Sequence, residues 1–80
     1  MPPVLLGLEL RRLAAEVERV EGGDQPAKAA RMAACQWAYD HVLIEYCQRV
    51  DIPVPRERAP LSSGQRIEAE AALIYAGHEW

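Results

Sequence analysis

The stretch "ACQWAYDHVLIEYC", residues 34–47, carries large apolar side chains on two sides of the helix that its spacing predicts. At about 100° per residue, Tyr39, Val42, Leu43 and Tyr46 share one face, extended by Met32, Cys35 and Val50. Trp37 and Ile44 lie nearly opposite, together with Ala30 and Ala33. Neither glycine nor proline interrupts residues 27–50, so the pattern predicts one helix from about Gln25 to Val50, roughly 39 Å long. Gln36 and Asp40 on one flank, and Arg31, Glu45 and Arg49 on the other, form polar strips between the two faces. Such a rod needs cover from two directions.

The segments on either side supply candidates for that cover. Upstream, Leu6, Leu10, Leu13, Val17 and Val20 recur at steps of four and three, which predicts an amphipathic helix from about Val4 to Glu21. The charges between them, including Arg12 and Glu16 at i, i+4, read as a solvated face. "EGGDQPAK", residues 21–28, is a reversal in which Gly22 is expected to take the left-handed cap, Asp24 to cap the next helix and Pro26 to sit in its first turn. A short connection of this kind sets the two helices side by side and antiparallel.

Downstream, "DIPVPRERAPL", residues 51–61, has three prolines spaced to disfavour both helix and central strand, and is expected to be extended. Leu61, Ser62 and Gln65 then form a capping-box pattern that opens a third helix over about Ser63–Ala76, which Gly77 stops. The predicted fold is all-α, a three-helix bundle with a long central helix and a proline-containing extended segment before the last helix. At 80 residues the chain is expected to be a single helical domain, 1–80, with one modest core.

Composition restricts the function. The net charge of −3 removes the electrostatic basis for tight nonspecific binding to nucleic acid or anionic lipid. No run reaches the length of a transmembrane helix, and "VLLGL" is too short and lacks a basic leader for a secretory signal, so the expected location is the cytoplasm. Cys35 and Cys47, twelve residues apart on one helix, would be separated by about 18 Å, too far for an internal disulfide. Two free thiols fit a reducing compartment.

No constellation carries obvious chemistry. His41 and Glu45 stand one turn apart and Cys35, Cys47, His78 and Glu79 are possible ligands, but no CxxC, HxxxH or ExxH spacing completes a metal site. No cofactor or metal is expected; His41 and Glu45 are expected to bond each other, and the cysteines to act as small core residues. Ser62 and Ser63 are explained as caps, and neither "EGGDQP" nor "SSGQR" is a phosphate loop.

In "PRER", residues 55–58, Arg56 and Arg58 could converge on an anion. Over these few residues the chain resembles the small all-helical chorismate mutases, which implies intertwined dimers binding a dicarboxylate through arginines. The Gly22-Gly23 break falls where that family has an uninterrupted long helix, and its further basic residues are missing, so no family is assigned. A helix-turn-helix DNA reader would place Gln65 and Arg66 in the groove, but Glu68 and Glu70 would then face phosphate.

The function expected from the sequence is therefore a small non-catalytic interaction or regulatory protein. It is read as a symmetric homodimer in which the central helices meet through Ala30, Ala33, Trp37, His41 and Ile44. An unidentified protein partner is expected at Pro53, Pro55, Arg56, Arg58 and Trp80, because an extended proline segment docks at low entropic cost. The alternatives are a small all-α enzyme or anion-binding protein using Arg56 and Arg58, and a helix-turn-helix-like regulator.

Overall fold

A computed structural model describes residues 2–24 and 26–80. Three helices follow in order, α1 (Pro3–Glu21), α2 (Lys28–Arg49) and α3 (Ser63–Tyr75), packed together into a globule of 39 × 22 × 20 Å. No strand occurs among the described residues. Pro3 opens α1 at a position where its missing N–H costs nothing. Leu6, Leu10, Leu13 and Val20 of its periodic stripe are buried.

The reversal between α1 and α2 is built differently from the expectation. Gly22 stays right-handed, with φ −81°, and its N–H bonds to the Glu18 carbonyl. Residues 22–24, 26 and 27 lie outside both helices and α2 begins at Lys28; the expected first residue, Gln25, lies outside the described residues. Asp24 does not cap it; Ala27 precedes the helix with φ 56°, in the left-handed region. A left-handed alanine costs roughly 1–2 kcal/mol, which the packing of α1 on α2 has to offset.

At its other end α2 closes with a pair of bonds, Ile52 N–H to the Cys47 carbonyl at 2.8 Å and Asp51 N–H to Gln48 at 3.3 Å. These are the two bonds of a Schellman motif, and Asp51 holds the left-handed position, φ 60°, where glycine is usual. α3 ends by the same device, with His78 N–H on Leu73 and Gly77 N–H on Ile74, and here Gly77 takes φ 90°. The capping box at its start is formed in full, Gln65 N–H donating to Ser62 Oγ at 3.1 Å and Ser62 N–H to Gln65 Oε1 at 2.9 Å.

The bend at Asp51 sends the chain back along α2. Residues 51–61 form an irregular strap, bent at 55 and 57–59 and not extended as expected, with the Ala59–Pro60 peptide cis, whose far end is tied to Asp40. Ile52, Val54 and Leu61 join the apolar cluster that contains Leu6, Leu10, Leu43, Ile44, Cys47, Ala69 and Leu73. The second apolar face of α2 is thus covered from Asp40 onward by the strap of its own chain, with no second molecule required. The C-terminal residues cross α1 at Gly7, where an added Cβ would lie 3.4 Å from both the Glu79 carbonyl and the Tyr46 ring.

Asp51 tests the helix-end account. Asp51→Gly relieves the left-handed backbone without touching the strap's side chains, and should raise unfolding stability by up to about 1 kcal/mol, read as a higher urea midpoint at unchanged slope.

Candidate functional site

The most strongly determined polar cluster centres on Asp40, which is fully buried although it is charged. Its carboxylate accepts from Arg66 Nε at 2.7 Å and Nη2 at 2.9 Å, from the Leu61 backbone N–H at 2.9 Å and from Gln36 at 3.3 Å. Arg66 Nη2 also donates to the Leu61 carbonyl at 3.0 Å. Beside Asp40 its two carboxylate bonds raise the Arg66 pKa, opposed by partial desolvation. One residue from each of α2, the strap and α3 is thereby held together. Sequence reasoning placed Asp40 in a polar strip and considered Arg66 only as a groove contact of a helix-turn-helix reader. The signal that could have joined them is the pairing requirement itself: an aspartate flanked by Tyr39 and Leu43 needs a cation.

Because its guanidinium is spent on Asp40, Arg66 is not a free cation for a nucleic-acid backbone. Beside this clasp, Tyr39 donates a hydrogen bond to Glu70. Burial, followed by the Glu70 carboxylate, pushes the Tyr39 pKa far above that of a free phenol, while the Trp80 indole acts in the opposite direction. Tyr39 and Glu70 edge a shallow cleft of about 200 Å³ floored by Ala14 and Val17. Among the described residues no three His, Cys, Asp or Glu side chains stand close enough to hold a metal.

The residues expected at an interface separate into two groups. Ile44 is 4% exposed and belongs to the core, which corrects its assignment to an outer face; the strap reaches it. Beyond Asp40 the strap has ended, and α2 is bare there: Ala30, Ala33, Ala34 and His41 are exposed and Trp37 is 47% exposed. His41 does not pair with Glu45 but stacks on Trp37, ring centroids 5.1 Å apart and planes 7° from parallel.

The expected partner segment also divides. Pro53, Arg56 and Arg58 are exposed and Pro55 is half-buried, while Ile52 and Val54 between them turn inward. Trp80 is half-buried and edge-on to Tyr46, centroids 6.2 Å apart, so it latches the C-terminus onto the bundle instead of standing free. Cys47 is buried, which raises its thiol pKa, and Cys35 is half-buried; both are unbonded thiols.

An apolar surface that sequence reasoning missed lies on α3. Ala69 and Leu73 face the core, yet Ile67, Ile74 and Tyr75 on the other side are 65%, 64% and 96% exposed. The spacing 67, 71, 74 was available as a signal, but one amphipathic stripe per helix had already satisfied the fold.

The chain matches no family model, no curated protein and no solved structure.

Two measurements check the polar cluster. Arg66→Met leaves a buried carboxylate without its cation and should cost about 3–5 kcal/mol, while adding Asp40→Leu should restore part of that loss in a double-mutant cycle. Because the folded-state pKa of Tyr39 is raised, the unfolded chain loses that phenolic proton first. Its contribution is fully present below about pH 10, the free phenol value, and falls as pH rises above it. Tyr39→Phe should flatten this alkaline loss in urea titrations.

Proposed function

We propose that the protein is a small helical interaction module that acts by self-association and not by catalysis, with the bare N-terminal half of α2 as its docking surface. One observation carries this reading: Trp37, 47% exposed, is stacked on His41 at the C-terminal end of a stripe of exposed alanines, Ala30, Ala33 and Ala34. Tryptophan is among the residues most enriched at the energetic centre of interfaces. The alanines before it let a second helix approach closely.

A regulatory role in the cytoplasm goes with this reading, the two free thiols being suited to a reducing compartment. The strap adds a second surface for a protein partner. Its exposed Pro53, Arg56 and Arg58 sit on a backbone already fixed at Cys47 and Asp40, so docking there would not have to order the chain.

Sedimentation velocity over a concentration series tests the docking surface. The wild type should shift to larger species as concentration rises, and Trp37→Glu should remain monomeric with an unchanged far-UV circular dichroism spectrum. A wild type that stays monomeric into the hundreds of micromolar overturns the reading.

A further inference from the structure

Exposed apolar side chains gather on all three helices among the described residues, Val4, Leu5 and Leu8 on α1, Trp37 on α2, and Ile67, Ile74 and Tyr75 on α3; the α2 and α3 faces differ most in size. On α3, steps of four and three place Ile67, Ala71 and Ile74 on one outward stripe, with Tyr75 beside it. Since Ala69 and Leu73 fill the opposite side, α3 is apolar on two sides, with Arg66, Glu68 and Glu70 between them. Clustered exposure of this kind marks an interaction site more often than isolated surface leucines do. The bare face of α2 is made almost wholly of alanines, with Trp37 at one end.

Between Lys28 and Tyr39, α2 carries Lys28 and Arg31 and no carboxylate, and both cations are exposed. On α3 the charges are Glu68, which is exposed, Glu70, and Arg66, whose charge Asp40 already compensates. The α2 face is therefore small-featured and itself uncharged, with Arg31 at its flank, and the α3 face is bulky, with Glu68 at its flank.

We propose that copies of this chain associate head to tail, the outward face of α3 (Ile67, Ile74, Tyr75) docking on the bare α2 face (Ala33, Trp37) of the next copy, with Glu68 beside Arg31. The proposal rests on the α2 docking surface described above and names what occupies it. Large side chains set against alanines fill a helix–helix contact at ordinary spacing, about 8–10 Å between axes. Two alanine faces leave little to interdigitate. The central helices therefore need not meet about a twofold axis. Each copy keeps one face of each kind free, so the contact repeats, closing into a ring if the rotation allows and otherwise continuing as a chain. Faces only about 15–20 Å long make a small contact, below roughly 1,200 Å² in total, which gives weak and concentration-dependent assembly.

Mixing two surface variants decides it. Trp37→Glu loses the α2 face and keeps α3; Ile74→Glu loses the α3 face and keeps α2. Each alone should be monomeric by sedimentation velocity, and an equal mixture should form a 1:1 heterodimer that grows no further. A mixture that stays monomeric overturns the proposal. So does Ile74→Glu self-associating like the wild type while Trp37→Glu does not, a result that leaves the α2 docking surface standing and points to symmetric pairing. A wild type that never associates removes both. Should either variant misfold, charge exchange decides the same question: Arg31→Glu and Glu68→Arg should each weaken assembly several-fold and together restore it, and no recovery in the double variant overturns the Glu68–Arg31 contact.

Discussion

A carboxylate with no exposure to water holds this molecule in its arrangement. Left unpaired, the Asp40 charge would cost several kcal/mol; Arg66, the Leu61 N–H and Gln36 together supply it with four donors. Those donors come from separate parts of the chain, so satisfying one group fixes three segments. The strap must end at the level of Asp40, and α3 must start there with Arg66 facing α2. Once α3 starts at that point, Ala69 and Leu73 enter the core and Glu70 meets Tyr39. The direction of the last helix is thus set by a polar contact, and apolar burial then secures it.

The same clasp determines which parts of the surface are left bare. A chain of 80 residues buries a smaller share of its surface than a larger domain does, so some apolar side chains stay outside. Here the remainder lies on all three helices, Val4, Leu5 and Leu8 staying outside on α1. The strap covers α2 as far as Asp40 and stops, leaving Trp37 and the alanines before it; α3, apolar on both sides, can turn only one side inward. The proposed function lies in two helix faces that the core could not absorb. The polar side chains near them are engaged in holding the fold, Arg66 on Asp40 and Tyr39 on Glu70.

Helix existence, helix order and the core stripe of α1 were legible in the sequence because each depends on neighbours within one or two turns: the leucine spacing, the Ser62–Gln65 box, the stop at Gly77. The double-sided pattern of α2 was legible too. What covers Ile44 was not. On the helical wheel Ile44 and Trp37 are equivalent, and only the path of the strap, bent back through a left-handed aspartate that no local rule singles out, separates them. Asp40 and Arg66 are twenty-six positions apart on different helices, so nothing local in either segment announces their pairing. Periodicity reports which side of a helix is apolar; which apolar sides meet one another, and which meet water, is decided by how far the connecting segments can reach once a buried charge has found its partners.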